Sequence, residues 1–250
     1  MTLAPEEVKA CCAGVYSSEA ARFLLGDSFH PGGSTLTSEL IAALRVGPGD
    51  VVVDVACGRG TSAEQLARES GCDVIGVDLA VPQCSPHSRV RFMQGDAEAL
   101  PLDDMSVNGV LCECALCTFP DKPTAVAEIA RILRPGGRVA IADVTAQPTR
   151  LPDVLRDLDA WVACVADARP LDELAALLEQ AGLELERTES RDRELGELLE
   201  KVGARLRLAH LAASEQFEQG IERASALLDA AGAALADGVL GYAVLVARRP

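Results

Sequence analysis

Short apolar runs alternate with stretches of helical periodicity along most of the chain. Runs of β-branched and other apolar residues predict strands over residues 51–55, 73–77, 90–94, 107–113, 138–143, 183–188 and 241–248. Apolar positions recur at helical spacing over residues 121–133 and 171–181. Thr61 and Glu64 have the spacing of a capping box, which predicts a helix that starts directly after the first strand and its turn.

Strands that alternate with helices in this way predict βαβ units and a parallel sheet with helices on both faces. We therefore predict an α/β fold of the Rossmann-like class: a doubly wound, mostly parallel sheet whose last strand pairs antiparallel at the edge. The chain is predicted to form a single domain, residues 1–250. Its parts are an N-terminal helical arm (1–44), a core (45–190), a Leu- and Ala-rich helical insertion (191–237) and the last strand (238–250).

Composition and charge narrow the range of partners. The 250 residues are 49% hydrophobic and 24% charged, and they carry a formal net charge of −15. Such an acidic surface repels phosphate backbones and anionic headgroups, so we expect no nucleic-acid or membrane partner and a small-molecule or metalloid substrate instead. The sequence leaves the oligomeric state open.

The cysteines and the N-terminus indicate a cytoplasmic protein. The nine cysteines are odd in number and unevenly spread, which argues against a secreted disulfide framework. The N-terminus also lacks the basic and then apolar pattern of a signal peptide.

A glycine-containing turn follows the first predicted strand. The run Val52-Val-Asp-Val-Ala-Cys-Gly58-Arg-Gly60 leads into the predicted helix, and Asp78 follows the second strand. Glycines let a ligand approach the backbone at the carboxyl ends of the strands, and a carboxylate there suits the hydroxyls of a ribose. A dinucleotide site has the same features, and the third position of its G-x-G-x-x-G pattern is Ala63 here.

Four motifs in order distinguish these possibilities. The segments Asp54–Gly60, Asp78, Gln94-Gly-Asp-Ala97 and Leu133-Arg-Pro-Gly-Gly137 resemble the motif series of class I S-adenosylmethionine-dependent methyltransferases, over roughly residues 30–190. The alternative is a Rossmann-like domain without transferase activity. The resemblance implies that S-adenosyl-L-methionine is the cofactor and that its binding residues are Asp54, Ala56, Gly58, Gly60, Asp78, Leu79, Gly95, Asp96, Ala97 and Cys112.

Within this assignment, Asp54 and the backbone of the glycine turn would hold the methionine part of the cofactor. Asp78 would bind the ribose hydroxyls, and Asp96 with Ala97 would recognise the adenine edge. One departure concerns residues 79–89, where Pro82 and Pro86 leave no room for the helix that the family usually has.

That face of the adenosine pocket is expected to be open or to be covered by the N-terminal arm. His30 lies in the arm, in a Gly- and Pro-rich turn, where it is either a base or a structural residue.

The acceptor site is predicted at the end of the fourth strand, in the run Cys112-Glu-Cys-Ala-Leu-Cys117. Strand alternation predicts Cys112 and Cys114 on one face and Glu113 on the other. Here the chain resembles the arsenite methyltransferases, in which cysteines at the positions of Cys114 and Cys164 bind trivalent arsenic. Thiolates are soft ligands, and sulfur-bound arsenic keeps a lone pair that can attack a methyl group without a general base.

Other interpretations of these residues stay open. Cys11 and Cys12 are candidates for the arm cysteine of the arsenite methyltransferases, and Cys57 and Cys72 are interpreted as core residues. Cys112, Cys114 and Cys117 are also a candidate Zn²⁺ set, though a crowded one. Two alternative functions are methyl transfer to an organic metabolite, with Glu113 or His30 removing a proton, and metalloid binding without turnover.

Overall fold

The computed structural model describes residues 7, 9, 30–80, 87–156, 165–212 and 215–250; of residues 211, 212 and 215–219 it describes the backbone only. Residues 7 and 9 are helical. Six further helices follow in the described ranges: α1 (Gly33–Leu44), α2 (Thr61–Ser70), α3 (Lys122–Ile132), α4 (Leu171–Gln180), α5 (Asp192–Ala212) and α6 (Glu215–Ala236).

Seven strands form one sheet in the order β3-β2-β1-β4-β5-β7-β6. Their bounds are β1 (Val51–Val55), β2 (Asp73–Asp78), β3 (Val90–Gln94), β4 (Val107–Glu113), β5 (Leu133–Ala146), β6 (Glu184–Ser190) and β7 (Leu240–Arg248). The first five strands pair in parallel, and β7 pairs antiparallel with both β5 and β6. The predicted α/β class with an antiparallel last strand is confirmed.

The predicted edge position of the last strand is wrong. β7 lies between β5 and β6, and all of its residues except the last are buried. An interior strand is covered on both faces and therefore has an unbroken apolar run, which matches residues 240–247. The edge strand on this side of the sheet is β6, in which exposed and half-buried residues alternate.

The helices cover both faces of the sheet. On one face, α1, α2, α5 and α6 pack on strand residues such as Val52 and Leu111. On the other face, α3 and α4 pack on the alternate residues, such as Val53 and Val110. This alternation along each strand divides the interior into two clusters on opposite sides of the sheet.

Two local predictions are corrected by the backbone. α2 begins at Thr61 as predicted, but its N-cap is Gly60 in the left-handed conformation, without a side-chain cap hydrogen bond. Thr61 therefore lies inside the helix, and the capping box is wrong. β5 starts at Leu133 rather than at residue 138, because the Pro-Gly-Gly segment is a register shift within the strand and not a break before it.

The predicted helical insertion contains α5 and α6, whose described side chains Leu195, Ala231 and Ala234 are buried against the sheet. The division of the chain into arm, core and insertion stays a prediction. Among the described helices, none is both long and apolar enough to cross a membrane.

A buried lysine connects the segment after β4 with the segment before α4. Lys122 is 3% exposed. Its ammonium group donates to the backbone oxygens of Cys117 and Phe119, at 3.1 and 3.0 Å, and pairs with the carboxylate of Asp167. The two segments flank the carboxyl end of the sheet, so this contact fixes their relative position.

We expect Lys122→Met to lower the free energy of unfolding by about 3 kcal/mol, because removing one partner of a buried ion pair leaves the other without compensation. Urea unfolding would measure the change. Lys201→Met, at an exposed position on α5, is the control and should change stability by less than about 0.5 kcal/mol. Equal effects of the two substitutions would contradict this account of Lys122.

Candidate active site

The turn after β1 is built from residues in left-handed backbone conformations. Ala56, Gly58 and Gly60 have φ angles of 56°, 52° and 81°. The turn is closed by a backbone hydrogen bond of 2.8 Å from Gly60 to Cys57, and the Cys57 amide donates to Val77 on β2. These bonds hold the turn against the end of β2.

The glycine at position 60 is required by close packing as well as by its φ angle. A Cβ atom at Gly60 would lie 2.3 Å from the ring of Phe92 on β3. By contrast, a Cβ atom at Gly58 would meet no atom of the described residues within 4 Å. The turn therefore has one face packed tightly on β3 and one face open to a ligand.

Asp54 is a buried carboxylate of this region. It lies on β1, is 2% exposed, and its Oδ2 atom has no hydrogen-bond partner among the residues that the structure describes. Burial raises the pKa of Asp54 well above its ordinary value, and the nearby charges of Glu113 and Asp78 raise it further. A buried carboxylate oxygen without a partner is costly, which indicates a polar or cationic ligand group at this position.

Asp78 is held rigidly at the end of β2. Its Oδ2 accepts a hydrogen bond from the Gly58 amide at 2.8 Å, and its Oδ1 accepts one from the Ala80 amide at 2.9 Å. The next residue, Leu79, is 38% exposed. Asp78 thus joins the glycine turn to the end of β2, and both oxygens keep further lone pairs for hydroxyl donors.

The loop after β3 comes to the same edge of the sheet. The Gly95 amide donates to the backbone oxygen of Asp78 at 3.0 Å, and Ala97 is buried. Lys9 pairs with Asp96 at 2.7 Å and with Glu98 at 2.6 Å. Since Lys9 is 87 residues away from Asp96 in the chain, this contact covers part of the predicted adenine region with the N-terminal segment.

The predicted cofactor residues of β1, β2 and β3 are therefore brought together at one edge. The open glycine turn, the unpartnered Asp54 oxygen and the fixed Asp78 carboxylate fit a ligand with a cationic group next to a ribose. S-adenosyl-L-methionine has both groups.

A second polar cluster lies at the end of β4. The Thr37 hydroxyl donates to Glu113 at 3.0 Å, and His30 Nε2 lies 3.6 Å from the same carboxylate oxygen. The side chains of His30 and Glu113 are only 8% and 4% exposed. Thr37 on helix α1 and His30 in the segment before it therefore lie against a buried acid that faces the same region as Asp54.

Cys112 and Cys114 do not share a face of the strand, and this prediction is wrong. Cys112 packs in the cluster that contains α3, whereas Cys114 packs with Cys117 against the cluster that contains α1. The reason is that β4 ends at Glu113 and Cys114 has a φ angle of 52°, so the alternation stops there. The three thiols do not converge, and no group of three metal-binding side chains occurs among the described residues.

The turn that carries Cys114 is fixed to β5. The Cys114 amide donates to the backbone oxygen of Ala142 at 2.7 Å, and the Cys117 amide donates to Oδ2 of the buried Asp143 at 3.1 Å. Cys57 and Cys72 are buried, as expected of core residues, and burial raises the pKa of both thiols. Cys11, Cys12 and Cys164 lie outside the described residues.

The sequence motifs did not predict several residues of this region. Lys9, Thr37, Asp143 and Tyr242 come from four separate segments, and none belongs to a motif. Asp143 ends the predicted fifth strand in a way that resembles Asp78, which is the one usable hint. The others depend on tertiary contacts.

Comparisons with known proteins show that the chain is similar to methyltransferases. A family model for a methyltransferase domain matches residues 53–141. The chain is 38% identical over 176 residues to an arsenite methyltransferase from Halobacterium salinarum. This alignment covers 61% of this chain and only 45% of that protein. It is 30% identical over 236 residues to a 27-O-demethylrifamycin SV methyltransferase from Amycolatopsis mediterranei, covering 86% of this chain and 83% of the relative.

A solved structure has the same fold over nearly the whole length. The geranyl diphosphate C-methyltransferase from Streptomyces coelicolor, in complex with Mg²⁺, geranyl diphosphate and S-adenosyl-L-homocysteine, superposes with a TM-score of 0.74. The match covers 99% of this chain and 100% of that structure at 18% identity, so it supports the fold alone.

We expect Gly60→Ala to abolish S-adenosylmethionine binding and to lower the free energy of unfolding by about 3 kcal/mol, through contact with Phe92 and backbone strain. Gly58→Ala is the matched control, because it has the same strain without the contact, and should cost about 1 kcal/mol. Calorimetric titration and urea unfolding would measure both effects. Equal losses in the two variants would contradict the role of Phe92.

Asp54→Asn should change both the pH dependence of protein stability and the affinity for the cofactor. Because the folded pKa of Asp54 lies above the unfolded one, its proton-linked stability is present below the unfolded pKa, roughly 3.9, and is lost as the pH rises through the folded pKa. The variant cannot ionise, so its stability relative to the wild-type protein should increase between about pH 4 and about pH 8.

Cofactor affinity of Asp54→Asn should fall by about tenfold or more, since a charge-assisted contact is lost. The exposed Asp103→Asn serves as control for both readouts. A variant with unchanged pH dependence of stability would contradict the assignment of the buried charge to Asp54.

Proposed function

The chain belongs to the S-adenosylmethionine-dependent methyltransferases, and we propose that it transfers a methyl group to trivalent arsenic bound by cysteine thiolates at the end of β4. The alignment with the arsenite methyltransferase spans less than half of that relative, so substrate and activity are inferred from the site. The observation that carries the proposal is the position of Cys114.

Cys114 differs from the other described cysteines. Of the five, Cys114 alone is not buried; the remaining four are Cys57, Cys72, Cys112 and Cys117. It follows directly after β4, where its left-handed backbone turns the chain across the end of the sheet. A partly accessible thiol next to the region of Asp54 is suited to hold an acceptor close to the cofactor.

The chemistry of the acceptor requires little from the protein besides alignment. When bound, S-adenosyl-L-methionine supplies an electrophilic methyl group. A thiolate at Cys114, together with Cys164 from the predicted pair, would hold arsenic through soft sulfur ligands and leave its lone pair free. The protein would then accelerate the reaction by holding the two reactants in line.

We propose that the residues at the carboxyl ends of β1, β2 and β3 form the cofactor site. Asp54 would face the cationic methionine part, Asp78 would accept from the ribose hydroxyls, and Asp96 with Ala97 would contact adenine. The unpartnered Oδ2 of Asp54 supports the first of these roles. The remaining assigned residues would line the pocket.

A second function has its own supporting observation. Thr37 and His30 surround the Glu113 carboxylate, which is buried beside the acceptor region. Glu113 could there accept the proton of a substrate hydroxyl while the oxygen takes the methyl group. The relative from Amycolatopsis mediterranei, whose name describes methylation at an oxygen, covers more of the chain than the arsenite methyltransferase does.

The test is to incubate the purified protein with S-adenosylmethionine, excess glutathione and arsenite, and to separate the arsenic species. We expect methylated arsenic above a control without protein. Cys114→Ser and Cys164→Ser should each lower kcat/KM by about 100-fold or more, because serine oxygen is a poor ligand for soft arsenic. Cys72→Ser, at the opposite end of the sheet, should keep the activity.

Glu113→Gln distinguishes the two functions in the same assay. Arsenic methylation needs no general base, so it should persist in this variant, whereas methylation of a small phenol should collapse. Turnover of phenol without methylated arsenic would shift the proposal to the organic acceptor. Arsenite binding without any methylated product would leave a metalloid-binding protein and overturn both.

A further inference from the structure

Tyr242 is a buried polar residue whose hydroxyl makes no hydrogen bond within the described part of the chain. It lies on β7 and is 0% exposed. Its backbone is held firmly, because its amide donates to Oδ1 of Asp192 at 2.9 Å and its oxygen accepts from the Arg191 amide. The ring is therefore fixed by β7 and by the start of α5.

Strand pairing brings this ring to the acceptor region. Tyr242 pairs with Val144 on β5. The two preceding residues of β5 hold the turn after β4: Ala142 accepts from the Cys114 amide, and Asp143 accepts from the Cys117 amide. Three consecutive residues of β5 thus connect the phenol with the proposed arsenic ligand.

The titratable groups near the phenol of Tyr242 belong to the acceptor region. Burial raises the pKa of Tyr242 well above its ordinary value, and the groups that raise it further are Cys114, Asp143, Glu113 and Cys117. A phenol in this surrounding stays protonated, so it can act as a hydrogen-bond donor toward an electron-rich atom.

An unpartnered hydroxyl at this depth is unfavourable compared with phenylalanine, since it has lost its hydrogen bonds to water without replacement. Because the backbone of Tyr242 is held in place and its hydroxyl has no partner among the described residues, an acceptor atom of a ligand in the acceptor site would complete its hydrogen bonding. None of the sequence motifs accounts for a tyrosine at this position.

We propose that Tyr242 binds the methyl acceptor: its hydroxyl donates a hydrogen bond to an oxygen or sulfur atom of the acceptor. For trivalent arsenic this atom is a hydroxide or thiolate ligand bonded to the arsenic; for a phenol it is the reacting oxygen. The inference rests on the proposed function, because it concerns the same acceptor site.

The test compares Tyr242→Phe with the wild-type protein, using arsenite with excess glutathione as the acceptor. Tyr242→Phe should raise the KM for arsenite about tenfold, which is the loss of one hydrogen bond of roughly 1.4 kcal/mol. The dissociation constant for S-adenosylmethionine should stay within about twofold, since no cofactor contact is changed. The free energy of unfolding should stay equal or rise, because an unpartnered buried hydroxyl is removed.

Ser70→Ala is the matched control. It also removes one hydroxyl, but that hydroxyl is already bonded to the Leu66 oxygen at 2.7 Å, and it lies at the end of α2, away from the acceptor region. Ser70→Ala should lower stability modestly and leave the KM for arsenite unchanged. The two variants should therefore show opposite patterns of stability and KM.

The results distinguish a failure of the role of Tyr242 from a failure of the proposed function. A wild-type protein that methylates arsenite, with an unchanged KM in Tyr242→Phe, overturns the role of Tyr242 and leaves the proposed function intact. If the wild-type protein methylates a small phenol and not arsenite, the same comparison of KM is made with that phenol. A wild-type protein that methylates neither overturns the proposed function, and this inference with it.

Discussion

The crowding of acidic groups at one dry edge of the sheet is the constraint on which the site depends. Asp54, Glu113 and Asp143 lie at the carboxyl ends of β1, β4 and β5, and their side chains are almost fully removed from water. The carboxyl ends of these strands necessarily lie together, since parallel strands all end at the same edge of the sheet. Carboxylates there repel each other, so the edge favours ligands that bring positive charge or hydrogen-bond donors.

The surrounding structure partly compensates this repulsion with donors from the backbone and from α1. Asp78 takes two amide hydrogens, Asp143 takes the Cys117 amide, and Glu113 takes the Thr37 hydroxyl. One oxygen of Asp54 has no partner among the described residues. The compensation is thus least complete at Asp54, where we propose that the methionine part of the cofactor binds.

Local patterns predicted the central strands because burial on both faces gives an unbroken apolar run. The bounds of the interior strands β1 and β4 match the prediction, as do those of β3 at the sheet edge, and the motif positions lie at their ends as expected. Errors arose where the chain departs from a regular strand: the left-handed residue at Cys114 ended the alternation, and the Pro-Gly-Gly segment lies inside β5. The roles of Lys9 and Tyr242 could not be predicted from the sequence, because they depend on partners that are distant in the chain.

The ion pair between Lys9 and the acids after β3 has a kinetic consequence. It places a residue from the start of the chain over the loop where we propose that adenine binds, with the Lys9 side chain 11% exposed. If a nucleoside product leaves by this route, the ion pair has to open first. Turnover would then be timed by an event in which no covalent bond changes.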